Sequence, residues 1–210
     1  MTDTILTLDQ LNTLFQSMTL SMLGLDPTAW NAYQAALSSN QPWTDAIPAN
    51  PFYNVRVAWP KEGAPAWKID EDVVFLQVFE TDDQINRQRE IKNDAIDGQI
   101  LNQEMSFTQV VTVNWIFYGP NSYDNSRKVK NQVFYQNFHD FLAKNGLYIV
   151  PDMSAPRRMP DAFSGQWWER VDLSMRFNEL VIVNSNVGIA SGASIVLNVN
   201  QGPESTIQAP

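Results

Sequence analysis

Few side chains in this chain of 210 residues have the type and spacing that enzyme chemistry requires. The single histidine, His139, stands beside Asp140, and no second metal ligand follows it at a suitable spacing. Paired acids at 71–72 and 82–83 flank an apolar segment, where carboxylates could serve a glycosidase or hold Mg²⁺. Adjacent acids at strand ends are more often solvated turn residues, so a hydrolase that uses Asp82 or Asp83 is an alternative hypothesis only.

The loop Gly119-Pro120-Asn121-Ser122 lies between an aromatic segment and an amphipathic one, where ligand loops often occur. It lacks the Lys-Ser/Thr pair that a phosphate-binding P-loop requires. A helix that begins here would present free N–H groups and partial positive charge. These groups either bind an acidic group of a partner or are satisfied locally by Asn121, Ser122 and Asp124. We expect the local contacts, and we expect the exposed loop around Tyr123 to contact another protein subunit.

The composition excludes several classes of site. Without cysteine, the chain has no disulfide, thiol nucleophile or cysteine metal site, and a cytosolic protein is the simplest interpretation. The net charge of −9 argues against general affinity for nucleic-acid backbones. No apolar run approaches the roughly 18 residues of a membrane span. The first residues include Asp3 and Asp9 and no basic segment, which is unlike a signal peptide.

Apolar periodicity predicts the elements that position these residues. A capping box at Thr7 and Gln10 begins a helix that ends at Gly24. A second, long helix is predicted from residue 121 or 122 to about Lys144. The predicted strands cover residues 53–59, 73–79, 106–118, 168–180 and 193–199. Two main helices packed on a mostly antiparallel sheet make the predicted fold class α+β.

Three details of the pattern carry expectations of their own. Residues 81–97 are dense in charge and are expected to be a solvent-facing hairpin tip or loop. Near Glu179 the alternation changes phase, so that Leu180 and Ile182 become the apolar set, and this predicts a bulge or a change of sheet edge. The apolar face of the long helix is predicted to comprise Val129, Val133, Phe134, Phe138, Phe141 and Leu142.

The same pattern divides the chain into three parts. Residues 1–52 form an N-terminal helix and a Pro-rich arm, which could pack on its own domain or reach a neighbouring subunit. Residues 53–200 form the α+β core. Residues 201–210 are polar and are expected to be a flexible C-terminal tail.

The adjacent Trp167 and Trp168 are the strongest candidates for a binding surface. Neighbouring strand residues face opposite ways, so one ring is exposed or covered by a partner. An exposed Trp beside Arg170 has the composition of an interface centre, unless the chain's own arm covers both rings. The polar face of the strand is either solvated or paired with its copy in another subunit; it comprises Arg170, Asp172, Ser174, Arg176 and Asn178. The seven tryptophans leave a carbohydrate-binding module as a further alternative.

Three segments resemble the neck terminator or tail terminator proteins of tailed bacteriophages: IDEDVVFLQV (69–78), WIFYGPNSYDNSR (115–127) and GQWWERVDLSMRFNE (165–179). The resemblance extends from about Tyr53 to Val199. It implies a subunit of a hexameric ring on the head-proximal end of the tail tube, which stops tube polymerisation and docks the head connector. It also implies a structural protein with no catalysis and no cofactor, through whose lumen genome DNA passes without specific binding.

The resemblance implies that the partners are copies of the chain, the tail tube protein and head–tail connector proteins. It also implies that the protein is assembled in the host cytoplasm and is located in the virion neck. Residues 81–97 and the Pro-rich arm are candidates for axial contacts. The candidate interface residues are Tyr123, Asp124, Arg127, Trp167, Trp168, Arg170, Asp172 and Arg176. A head-completion or tail tube protein is the nearest alternative, and a tube subunit would form long tubes on its own.

Overall fold

The computed structural model describes residues 3–24, 55–58, 67–97, 100–163, 165–188, 194–197 and 205–208. In these residues a mostly antiparallel sheet carries helices, which confirms the α+β class. The predicted Pro-rich arm at 25–52 and most of the predicted C-terminal tail lie outside the described residues. The three-part division of the chain therefore stays a prediction.

The first helix, α1, spans Leu8–Leu23 and begins and ends as predicted. The Thr7 hydroxyl accepts from the Gln10 N–H, and the Gln10 side chain accepts from the Thr7 N–H, which completes the capping box. Gly24 ends the helix with a φ of 82°. The helix buries Phe15 and Met18 against the sheet, where the Phe15 ring lies 4.8 Å from that of Phe177.

The predicted long helix is wrong, because the chain forms two helices, α2 (Ser122–Gln132) and α3 (Gln136–Lys144). Tyr135 is extended, with φ −71° and ψ 145°, and it redirects the chain before α3 begins. Residues that would share one face of a continuous helix therefore lie on different sides of the two helices. Val129, Val133, Phe138 and Leu142 are buried as predicted, whereas Phe134 and Phe141 are 49% and 37% exposed.

The strands among the described residues are β1 Val55–Val57, β2 Val73–Thr81, β3 Glu90–Asp97, β4 Ile100–Tyr118, β5 Leu147–Ile149, β6 Arg157–Arg158, β7 Asp161–Phe163, β8 Gln166–Trp168, β9 Arg170–Gly188, β10 Ser194–Leu197 and β11 Ser205–Gln208. Seven of them form the main sheet, in the order β1-β2-β4-β9-β5, with β3 paired to β4 and β6 paired to β9. Only β1 and β2 run parallel among these pairs. Two short antiparallel pairs, β7 with β8 and β10 with β11, are separate from the main sheet.

The long strands β4 and β9 form one continuous ladder from Tyr118↔Arg170 to Ile100↔Gly188. Glu179 pairs with Gln109 without a register shift, so the predicted bulge is wrong. Glu179 stays on the buried face, 3% exposed, because its carboxylate accepts the Leu6 N–H at 2.8 Å. A buried polar group that has a hydrogen-bond partner is tolerated in a sheet. A polar residue can therefore occupy an inward-facing position here without bending the strand.

Residues 81–97 also differ from expectation. After β2 a 3₁₀ turn at Gln84–Arg87 leads into β3, which pairs with the first part of β4. The charged residues of β3 belong to an ordered strand, because backbone pairing with β4 does not require apolar side chains.

The pair Gln109↔Glu179 divides the long ladder into two halves. The core half comprises residues 110–118 and 170–178, whose inner face packs against α1 and α2 and buries Trp115 and Phe117. We call β3 together with residues 100–108 and 180–188 the sheet arm. In β4, residues 101–108 of the sheet arm are all half-buried.

Candidate functional site

The loop at 119–122 is fixed to the start of β2 by a carboxylate. The Asn121 backbone N–H donates to Asp72 Oδ1 at 2.9 Å, and Asn121 Nδ2 donates to Asp72 Oδ2 at 2.8 Å. Gly119 has a φ of 106°, and a Cβ there would lie 2.6 Å from both Asp72 Oδ1 and Glu71 O. The acids at 71–72 therefore position a loop, and only glycine fits the close approach.

The expected side-chain cap of α2 is wrong at two positions. Asn121 makes no side-chain cap bond, since its amide turns to Asp72. The Ser122 Oγ is buried and has no hydrogen-bond partner among the described residues. Asp124 lies exposed in the first turn, where its negative charge complements the helix dipole.

One flank of α2 presents a row of aromatic and cationic side chains to solvent. We call this row the helix stripe; it comprises Tyr123, Arg127, Lys130 and Phe134. These positions are three and four residues apart and so share one side of the helix, although Phe134 lies just beyond its last turn. Tyr123 is 41% and Phe134 49% exposed. Lys128 leaves the helix on the other side, and its Nζ donates to Leu23 O at 2.8 Å.

A second surface forms on the outer face of the sheet around the adjacent tryptophans. Trp167 is 73% exposed, whereas Trp168 is half-buried against Trp67, with ring centres 5.8 Å apart. Trp67 also contacts Tyr118, with ring centres 5.6 Å apart. A cleft of about 50 Å³ is lined by Trp67, Tyr118, Asp161 and Trp168. This volume is far smaller than the pocket that a sugar ring needs.

The charged residues beside this cluster are paired within the chain. Arg170 binds Asp172 through two hydrogen bonds of 2.8 Å, and its Nη1 lies 3.4 Å from Asp161 Oδ2. The hydrogen bond to Asp172 raises the pKa of Arg170 despite the opposing effect of burial. The Tyr118 hydroxyl donates to Asp161 at 3.2 Å, and burial is the main reason that the pKa of Tyr118 is raised.

Arg176, on the same strand face, lies between two carboxylates. Its Nη1 is 3.5 Å from Asp83 Oδ2, and its Nη2 is 2.5 Å from Asp152 Oδ2. Asp83 also accepts the Ile85 N–H at 3.1 Å and so caps the 3₁₀ turn. These contacts give Asp83 a structural role in the folded chain.

The remaining candidates for catalysis or metal binding are dispersed. His139 is exposed on α3, and Asp82 is exposed and lies 3.4 Å from Arg87. In the part of the chain that the structure describes, no cluster of three or more His, Cys, Asp or Glu side chains could hold a metal ion.

The N-terminal segment, residues 3–6, lies along β9 at the point where the core half meets the sheet arm. Four hydrogen bonds hold it. The Leu6 N–H donates to Glu179, and the Thr4 N–H donates to Ile182 O at 3.0 Å. In return, the Ile182 N–H donates to Thr4 Oγ1 at 3.0 Å and the Asn184 N–H donates to Asp3 Oδ1 at 2.9 Å. Burial raises the pKa of Glu179, the charge of Glu80 raises it further, and the Leu6 N–H lowers it.

A family model described as phage neck terminator protein matches residues 10–202. The chain belongs to the phage neck terminator family. It is thus a structural protein of the bacteriophage neck, located in the virion neck and interacting with other head or tail proteins. The family resemblance predicted from about Tyr53 to Val199 is confirmed. No curated protein matches the sequence. None of the helices among the described residues is long and apolar enough to cross a membrane.

The fold of this neck terminator separates the candidate interface residues into two groups. Tyr123, Asp124 and Arg127 lie exposed on α2, and Trp167 is exposed at the edge of the aromatic cluster. The second group is engaged within the chain and comprises Trp168, Arg170, Asp172 and Arg176.

Sequence reasoning missed Phe134 as a surface residue, whereas it placed Arg127, Lys128 and Lys130 on the outer side of the helix. Phe134 was assigned to the core because its spacing fits one continuous helix. The signal that could have separated it is the run Val133-Phe134-Tyr135, since apolar residues at three successive positions cannot all face one side of a helix.

Proposed function

We propose that this chain forms a closed hexameric ring at the head-proximal end of the phage tail. The ring stops polymerisation of the tail tube and joins the tail to the head connector, with the tail tube protein and connector proteins as partners. The observation that carries the proposal is the family match over residues 10–202, which spans nearly the whole chain.

The mechanism is geometric. One face of the ring resembles a tube subunit closely enough to bind the end of the tube. The opposite face lacks the edge on which the next tube subunit would dock. A closed ring of head-to-tail contacts leaves no free end within its own layer. The turn and strand at 81–97 and the Pro-rich arm are candidates for the axial contacts.

The charge of the chain supports the passage of genome DNA through the lumen. A net charge of −9 repels phosphate backbones, so DNA can pass without being gripped. Assembly then takes place in the host cytoplasm, before the neck is joined to the head. The structural roles of Asp72 and Asp83 are consistent with a protein that carries out no catalysis.

Native mass and negative-stain images across a range of concentrations test this proposal. Rings with a central hole are expected, and the resemblance to tail terminators implies about six subunits in each ring. Long tubes would instead assign the chain to the tail tube. A monomer at every concentration that also fails to cap purified tail tubes would overturn the proposal.

A carbohydrate-binding module is the second candidate, and the exposed Trp167 is the observation that favours it. A flat exposed indole can stack on a sugar face even though the neighbouring cleft is too small to enclose one. Quenching of Trp fluorescence by sugars, lost in Trp167→Ala, would support this alternative.

A further inference from the structure

The sheet arm carries an acidic face. Directly opposed strand residues point to the same face, so Glu90, Lys92 and Asp94 share one side of the sheet arm with Glu104, the partner of Lys92. Lys92 Nζ lies 3.6 Å from a Glu90 oxygen, and both side chains are more than half exposed. Asp94 is exposed and makes no ion pair with any described residue. This acidic face therefore presents more negative than positive charge.

The helix stripe carries the complementary charge. Arg127 is exposed and Lys130 is partly exposed, and neither forms an ion pair or hydrogen bond with a described residue. Exposed Tyr123 and Phe134 flank the two cations. Tyr, Phe and Arg side chains are enriched at the centres of protein interfaces. Although the net charge of the chain is −9, this surface can attract an acidic partner.

We propose that the helix stripe of one copy packs against the acidic face of the sheet arm of the next copy, and that this contact joins the subunits of the ring. The inference rests on the proposed function, since it assigns the surfaces that close that ring. Copies of one acidic chain repel each other, and a contact between surfaces of opposite charge offsets that repulsion. The helix stripe and the acidic face provide such a pair.

The geometry of the two surfaces suits a head-to-tail contact. They are different surfaces of one chain, so each copy binds one neighbour through its helix stripe and the other neighbour through its acidic face. Repetition of this contact generates a ring. Residues 100–108 of β4 span roughly 27 Å at about 3.4 Å per residue, which allows the sheet arm to reach a neighbour. Asp94 and Glu104 are diagonal neighbours about 7–8 Å apart. Long Arg127 and Lys130 side chains can meet both.

Charge reversal on each surface tests the contact. The stripe variant carries Arg127→Glu and Lys130→Glu, and the arm variant carries Asp94→Lys and Glu104→Lys. A matched control, Lys144→Glu with Arg157→Glu, changes the net charge as much as the stripe variant, at two exposed positions outside both surfaces. Ring fractions are measured by native mass at the concentration where half of the unchanged protein is assembled.

For each variant alone, the ring fraction is expected to fall on the order of tenfold, because like charges then face each other at every contact between subunits. The control is expected to assemble normally. A 1:1 mixture of the two variants is expected to restore rings with alternating copies, since every joint then again brings opposite charges together. Recovery on mixing also shows that neither variant is misfolded.

The outcomes separate this inference from the proposed function. If the unchanged protein forms rings and both variants do so equally well, or if the mixture fails to assemble, the assigned joint is wrong and the ring proposal stands. If the unchanged protein assembles only on tail tubes, the same comparison is made with tube length as the readout. If it neither forms rings nor limits tube length, the proposed function fails, and the joint fails with it.

Discussion

The core half and the sheet arm are two stretches of the same pair of strands, yet their side chains have different surroundings. β9 alternates strictly between buried and half-buried residues over 170–178, where α1 and α2 cover one face. Beyond Val181, the residues of β9 in the sheet arm are half-buried or exposed. The backbone ladder is continuous through both. Strand pairing therefore extends the sheet beyond the core, and the helices alone decide where it has a buried face.

The first way to test this comparison is to truncate one aromatic side chain in each region. Trp115 is fully buried in the core half, and its Nε1 donates to Thr19 Oγ1 at 2.8 Å. Trp115→Ala is expected to lower the free energy of unfolding by about 3–5 kcal/mol. Phe107→Ala, in the sheet arm, removes a half-buried ring under the Arg89 guanidinium and is expected to cost about 1–2 kcal/mol. Urea denaturation of both variants measures the difference, and equal losses would contradict it.

The second test concerns the loop that ends the core half. Gly119→Ala forces a Cβ against Asp72 and Glu71 at a positive φ, and is expected to cost about 2–3 kcal/mol. Gly165→Ala is a matched control, since Gly165 has a φ of 77° and nothing within 4 Å of an added Cβ. Its cost is expected to be about 1 kcal/mol, from the backbone alone. Similar midpoints of thermal unfolding for the two variants would show that the contact with β2 is unimportant.

Amide hydrogen exchange compares the two regions without any substitution. Amides at 111–117 are expected to exchange only through global unfolding, because the helices cover their strand. Amides at 101–107 are expected to exchange at least about tenfold faster, through local opening of the sheet arm. Uniform protection along β4 would mean that the sheet arm is covered as well as the core half.

The smallest expected effect lies at the boundary between the regions. The pKa of Glu179 is raised in the folded chain, so the folded state holds this proton at pH values where the unfolded state has lost it. Stability from this group is therefore greatest at low pH and falls as the pH rises from about 4.5 through the raised pKa. Glu179→Gln keeps an oxygen for the Leu6 N–H and removes the charge.

The Glu179→Gln variant is thus expected to match the unchanged protein near pH 4 and to exceed it modestly at pH 7, by about 1 kcal/mol for each unit of pKa difference. Chemical denaturation at several pH values provides the measurement. A stability difference that does not change with pH would rule out a raised pKa as its cause.

Local chemistry made much of this fold predictable. The capping box at Thr7, the stop at Gly24 and the apolar strand at 73–79 each depend on residues close together in sequence, and all are present. The sequence also placed Arg170 and Asp172 on one strand face, where they form their ion pair.

The features that sequence reasoning missed depend on distant partners. The Asn121 side chain turns to Asp72, 49 residues earlier, so local cap rules did not predict its role. Glu179 stays buried in an unbent strand because Leu6, 173 residues away, donates to it. The break at Tyr135 turns the chain so that Phe138 and Leu142 pack in the core while Phe134 faces solvent, and the helical spacing alone is compatible with an unbroken helix.

The attachment of the N-terminal segment to β9 has a consequence for synthesis. Asp3 and Thr4 are synthesised well before their partners, Asn184 and Ile182. At roughly 5–20 residues per second, translation takes on the order of ten to forty seconds to bring those partners out. During that time the apolar side of α1 cannot pack against β9, whose Phe177 contacts Phe15 in the folded chain. The N-terminal segment and α1 therefore reach their final contacts only late in synthesis, after β9 has emerged.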